Sequence, residues 1–186
     1  MHRIDFKSER ALLRRSVLVL PLGAAAAYLV WRELAEHGGP PRPAWLDCVA
    51  DLVIPATDTP SASQVQVPAF VALAVEHGLN DCSPQMLQDL HAMLDRAAMG
   101  AFESAAPSTQ AAVLQAIDEQ AFSGNAGPHH PWQPIKGLIV MGYYTSQPGA
   151  SQELRWAFVP GRFDADIPVS PGTRALGNDW VGNLLT

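Results

Sequence analysis

Basic residues are scarce in this chain: twelve Lys and Arg face eighteen Asp and Glu, for a net charge of −6. No Lys/Arg patch is visible along it, which argues against nucleic acid, because phosphate contacts require clustered cations. Only two cysteines occur, Cys48 and Cys82, too few to hold zinc or an iron–sulfur cluster without help from histidine. No CxxCH motif is present, so no c-type haem is attached covalently. The stretch Gly124-Asn125-Ala126-Gly127 lacks the first glycine doublet and the preceding strand of a dinucleotide fingerprint. HExxH and GxSxG are missing as well, which removes the familiar zinc-protease helix and the nucleophile elbow. Apolar runs are short: Ser16 to Trp31 falls below the ~20 residues that span a bilayer.

What is present begins with a leader. Through His37 there are six basic and four acidic residues, and beyond it six basic and fourteen acidic, so a mildly basic start precedes an acidic body. Residues 1–37 read as a basic segment and an apolar segment of roughly signal-peptide dimensions. Arg14-Arg15 stands just ahead of Ser16-Val17-Leu18, the core of a twin-arginine export signal. Leu13 occupies the place usual for Ser or Thr, and Val17 the place usual for Phe. Small residues at Ala24–Ala27, and later Ala35, offer cleavage points. Export to an oxidising compartment makes Cys48 and Cys82 candidates for a disulfide. Such a bond would close a loop of about 35 residues and stabilise by roughly 3–4 kcal/mol on the chain-entropy estimate; free or intersubunit thiols are the alternatives.

The body, residues 38–186, is long enough for one domain with one core, and its periodicity is helical. Trp45, Leu46, Val49, Ala50, Val53 and Ile54 share a helical face that Pro55 terminates. A polar loop covers 55–66. Pro68 suits the first turn of a second helix over 68–77, with Phe70, Leu73 and Ala74 inward and Gly78 as its stop. Ser83-Pro84 repeats the start signal for a third helix to about Met99, burying Met86, Leu87, Leu90, Leu94 and Ala97. A fourth opens at Ser104 or Ser108 and runs through Phe122, with Val113, Leu114, Ile117 and Ala121 on one side. Ser123–Pro131 is a breaker-rich loop. Ile135–Tyr144 suits a buried helix or strand by periodicity, but no partner strand is in sight, so helix is expected. The fold class is therefore all-α: four to five helices in one compact domain, with a long irregular tail, 145–186, wrapping the domain or a partner.

Candidate chemistry is thin. His129-His130 could ligate a metal if His77 or His91 completed the set, which would make the chain an independent metal-dependent periplasmic enzyme. Asp51 and Asp58 flank the Pro55 loop as a potential acid pair, although Asp58 before Thr59-Pro60 also suits a turn. The aromatics are the better lead: Trp132, Tyr143, Tyr144, Trp156, Phe158 and Phe163 fall in the final third, with Arg155 and Arg162 interleaved. Trp, Tyr and Arg carry binding energy at protein interfaces. A partner interface of Trp132, Tyr143, Tyr144, Trp156, Arg162 and Phe163 is expected, against the alternative that the aromatics pin the tail to its own helices.

The segments LVIPATDTP (52–60), IKGLIVMGYYTSQPGASQEL (135–154), VPGRFDADIPV (159–169) and GTRALGNDW (172–180) closely resemble the gluconate 2-dehydrogenase subunit 3 family. These are small, or gamma, subunits of membrane-associated FAD-dependent sugar and sugar-alcohol dehydrogenases, and the similarity covers most of the chain after the leader. The resemblance implies a non-catalytic subunit that stabilises a FAD-bearing large subunit lacking its own signal. It also implies that Arg14 and Arg15 take that subunit, folded, through the twin-arginine translocase to the periplasm. A multihaem cytochrome c subunit often completes such complexes. FAD, with an iron–sulfur cluster or haem c, is then expected in partner subunits and none in this chain; the family supplies no catalytic residue to transfer.

Overall fold

The computed structural model describes residues 29–32, 42–124, 130–156, 166 and 168–177. Among the described residues from 42 onward, five α-helices carry the domain: α1 Ala44–Val53, α2 Val67–Glu76, α3 Pro84–Ala98, α4 Pro107–Phe122 and α5 Trp132–Thr145. Short 3-10 turns at Leu79–Asp81 and Phe102–Ser104 join them, and a π-helical turn at Gly149–Glu153 follows α5. The expected all-α domain is what forms. Ile135–Tyr144 lies within α5 and is helical, because among the described residues no strand stands beside it to pair with.

Helix α2 is the centre of the packing. Val67, Pro68, Ala69, Phe70, Val71, Leu73, Ala74 and Val75 are all buried, so its burial runs right round the helix rather than along the single face the spacing suggested. A helix that is apolar on every side has to be enclosed. Its largest interface is with α5, and there Gly142 faces the Phe70 ring, where an added Cβ would lie 2.7 Å from Cδ1. On Phe70 the ring of Trp31 also stacks, centroids 5.5 Å apart. Residues 29–32 are helical; Val30 is buried in the same core and Trp31 Nε1 donates to Thr145 Oγ1. Val30 and Trp31, within the stretch read as leader, are thus packed on the domain.

Helix α3 buries less of its apolar face than its spacing implied. Leu90 and Leu94 are buried, Met86 and Leu87 are partly so, and Ala97 is exposed, because α3 packs on its neighbours along a narrow seam. It ends on Met99 in the left-handed region, φ 56°, with its side chain in solvent.

The loop 55–66 is less of a loop than its polar composition implies. Thr59, Ser61 and Ala62 are buried, and backbone bonds from Ala62 N to Ile54 O and from Val67 N to Ala62 O tie the segment to both flanking helices. Asp51 does the side-chain work, accepting from Ser63 N at 2.8 Å and Ser63 Oγ at 2.6 Å. Asp58 is exposed and accepts from Thr57 Oγ1. The two carboxylates are therefore separate turn-stabilising acceptors, not an acid–base pair.

Between α4 and α5, Asp118 Oδ1 accepts from Trp132 Nε1 and from Lys136 Nζ, each at 2.6 Å, while the ammonium lies 5.0 Å from the Phe122 centroid. Desolvation acts to raise the Asp118 pKa, but the hydrogen bonds from Lys136 and Trp132 and the lysine charge outweigh it and hold the carboxyl below its ordinary 3.8. A carboxyl with a depressed folded pKa contributes stability above its unfolded pKa and loses it as pH falls through the folded value.

Two measurements check this packing. Gly142→Ala should lower the urea midpoint by the equivalent of about 1–3 kcal/mol, the usual cost of overpacking; an unchanged midpoint would show that the α2–α5 spacing is not a constraint. Asp118→Asn should destabilise at neutral pH, and its deficit against the parent should shrink as pH is taken below 3.8; a deficit independent of pH would refute the electrostatic account.

Candidate functional site

Of the residues singled out for partner binding, Trp132, Tyr143, Tyr144 and Trp156 lie among the described residues. Trp132 and Tyr143 are each 1% exposed and so belong to the domain's own core, not to an interface. Their polar tips explain why: Trp132 Nε1 is satisfied by Asp118, and the Tyr143 hydroxyl lies 2.9 Å from Pro60 O, to which it donates, and 3.2 Å from Thr59 Oγ1. A buried aromatic with a polar end needs such a partner. Among the members of the set whose side chains are described, Tyr144 is the one left in contact with solvent, 37% exposed, edge-on to Tyr143 at 5.4 Å. Burial of its hydroxyl, then the Glu153 charge and Tyr143, push its pKa up. Trp156 lies in a two-residue strand, β1 Arg155–Trp156, paired in parallel with β2 Leu176–Gly177. Arg14, Arg15, His129, Phe158, Arg162 and Phe163 lie outside the described residues.

The start of the tail is held against the domain. Ser146, buried at the end of α5, donates through Oγ to Tyr143 O at 2.6 Å and accepts from Gly149 N at 3.2 Å. Gly149 is buried where a Cβ would collide with the Tyr143 carbonyl, so the chain turns here because it carries no side chain. Glu153 then accepts from Thr59 Oγ1 at 2.7 Å, and Arg155 N donates to Ala175 O. The start of the tail is therefore held to the end of α5 through Ser146 and Gly149 and to the 55–66 segment through Glu153. Residues 168–175 are exposed, with Ser170 and Thr173 closing their own turn.

Beside this clasp an open groove of about 420 Å³ is lined by Trp31, Gln64, Val65, Gln66 and Thr145 to Pro148. Tyr144 precedes that lining directly, and Val140, 38% exposed, lies one helical turn before it on the same face of α5. Sequence reasoning overlooked Trp31, Val140 and Gln64–Gln66. Trp31 was assigned to the leader, and a valine inside an apolar run carries no mark of exposure.

The remaining candidates separate. His130 Nδ1 accepts from the Trp132 amide at 3.3 Å, capping the start of α5, and His130 joins no group of metal-ligating side chains among the described residues. His77 is exposed; His91 sits on α3 with its ring stacked on Trp45. Cys48, half-buried on α1, and Cys82, buried after the 3-10 turn Leu79–Asp81, are both free thiols. Burial, with Asp81 beside it, pushes the Cys82 thiol up to about 11. Burial and then the charges of Asp47 and Asp51 raise Cys48. Neither sits in the electropositive setting that activates a thiolate. Among the described residues no helix is long and apolar enough to cross a membrane.

A family model described as gluconate 2-dehydrogenase subunit 3 matches residues 41–161. No curated protein and no solved structure matches the chain.

Alkylation tests the thiol assignment. In the native protein at pH 8, Cys82 should carry on the order of a hundredfold less thiolate than an ordinary cysteine and react correspondingly slowly with iodoacetamide, recovering full reactivity in denaturant. Peptide mass spectrometry that found Cys82 rapidly modified in the folded chain would contradict its placement.

Proposed function

This chain belongs to the gluconate 2-dehydrogenase subunit 3 family, an accessory subunit of a multi-subunit dehydrogenase, and on that premise we propose the following role. It is the non-catalytic small subunit of a periplasmic, membrane-associated complex that oxidises a sugar or sugar alcohol. It binds and stabilises a FAD-bearing large subunit, which holds the flavin and, with a multihaem cytochrome c partner, the iron–sulfur or haem centres. Arg14 and Arg15 supply the twin-arginine signal on which both chains reach the periplasm through the translocase.

The observation that carries this reading is the family match across the helical domain. Two further features support it. The body is acidic and offers no cation cluster for nucleic acid, so a protein partner is the natural class. Its aromatic and apolar exposure on α5, Tyr144 with Val140, adjoins the groove and the clasped start of the tail, where a larger protein finds both an apolar contact and backbone groups. Trp31 and Val30 bear on processing: cleavage among Ala24–Ala27 keeps both packed in the domain, whereas cleavage after Ala35 removes them from the core.

Co-expression with the flavoprotein subunit tests the escort role. Arg14→Lys/Arg15→Lys should leave the large subunit in the cytoplasm, with periplasmic dehydrogenase activity falling to the level seen without this chain. Normal periplasmic amounts of the large subunit alongside the double variant would defeat the proposal.

A further inference from the structure

A second cluster of chemistry-bearing side chains lies where α3 meets α1 and the 3-10 turn Phe102–Ser104. His91 and Asp95 are four residues apart on α3 and so share a face, and the turn brings Glu103 to them. One ligand atom from each of the three residues lies within 4.8 Å of the others. His91 Nε2 is 3.6 Å from Asp95 Oδ2 and 3.8 Å from Glu103 Oε2. Both separations exceed hydrogen-bond range. Nε2 is nevertheless shut off from solvent and has no hydrogen-bond partner among the described residues. A buried nitrogen hydrogen-bonded to neither carboxylate is costly unless it is protonated and ion-paired with both or a cation occupies the space between the three groups.

From this geometry we propose that His91, Asp95 and Glu103 bind a divalent cation of the zinc class. Ligands on a tetrahedral zinc with bonds of about 2.0–2.1 Å stand roughly 3.3–3.4 Å apart, so the two histidine–carboxylate separations need only a small inward rotation of side chains. Two of the three are already oriented. The imidazole lies flat on Trp45, centroids 4.9 Å apart and planes 8° from parallel. Asp95 accepts through its other oxygen, Oδ1, from the Phe102 amide at 2.9 Å, which leaves Oδ2 for the ion and ties a ligand of α3 to the turn that carries Glu103. A backbone partner of this kind is how ligating carboxylates are held in place.

The donor set selects the metal. An imidazole nitrogen favours zinc and its neighbours over magnesium and calcium, which take oxygen ligands. Two carboxylates neutralise the dication, and three protein ligands leave a fourth position for water. The side chains are about a third exposed, 35% for His91, 39% for Asp95 and 37% for Glu103, so the rim of the site meets solvent and a small side-chain rotation opens Nε2 to an ion. Bound there, it joins α3 to the following turn at the edge of α1, on a different part of the domain from the groove beside α5. The site is independent of the escort role and stands or falls separately.

The full-length chain, prepared without a histidine tag, is titrated calorimetrically with zinc chloride and melted with and without it. One zinc per chain and a metal-dependent rise in Tm are expected, since a ligand of the native state alone stabilises it. His91→Ala should abolish both, and Glu103→Gln should weaken binding at least about tenfold, the scale on which even outer partners of a metal matter. His130→Ala should bind as the parent does, and magnesium chloride should give no heat. Should His91→Ala misfold through loss of the Trp45 stack, Glu103→Gln on the exposed turn decides the question. Absence of zinc binding, binding that survives both the His91 and Glu103 changes, loss of binding in His130→Ala, or magnesium bound as tightly as zinc would each overturn the assignment.

Discussion

The close approach of α5 to α2, at Gly142 against the ring of Phe70, is the constraint from which the rest of the domain is arranged. A side chain at 142 would force the helices apart. With none there, α5 lies near enough for the next residue, Tyr143, to reach across to Pro60 and Thr59. That contact orders the 55–66 segment, whose Thr59 then takes hold of Glu153 in the tail. Phe70 also carries Trp31, so a segment read as leader, the central helix and α5 meet at one aromatic ring. Interiors pack at crystal-like density, and a single missing methyl can therefore set the spacing of whole elements.

A division of labour among the aromatics follows. Burying Trp132 and Tyr143 stabilises the domain, and both polar tips find acceptors inside it, Asp118 for one and Pro60 for the other. Of the aromatics singled out for a partner, Tyr144 is the one shown exposed among the described side chains, with Val140 near it beside an open groove, while Leu29, Met99, Phe122 and Val169 are exposed elsewhere. Composition alone points to an interface because Trp, Tyr and Arg are enriched there, but the same residues are equally suited to pinning an irregular tail to its own core. Which use prevails depends on whether an acceptor lies within reach.

Helix boundaries were legible because their signals are local. Pro55 after α1, the proline in the first turn of α2 and Ser83-Pro84 ahead of α3 act through missing amide protons and fixed φ, and the observed helices begin and end within a residue or two of those marks. Burial was harder to read. Ala97 is exposed and α2 is buried all round, since helical spacing says which residues share a face but not how many neighbours surround the helix. The acid pair suggested at Asp51 and Asp58 dissolved for a similar reason. Asp51 is consumed by both donors of Ser63, a partner twelve positions away that no spacing rule connects to it.

The amino-acid sequence alone determined the class of the domain, the order and ends of its helices, the acidic character of its body and its family, because each of these depends on composition or on interactions a few residues long. Only the tertiary structure decided which aromatics are core, that residues 29–32 pack with the domain, that Cys48 and Cys82 remain apart as free thiols, and that His91 meets Asp95 and Glu103 instead of His130. These depend on which surfaces face one another once the helices have packed together around α2. Contacts between distant segments are set by that closure, and local pattern carries no record of it.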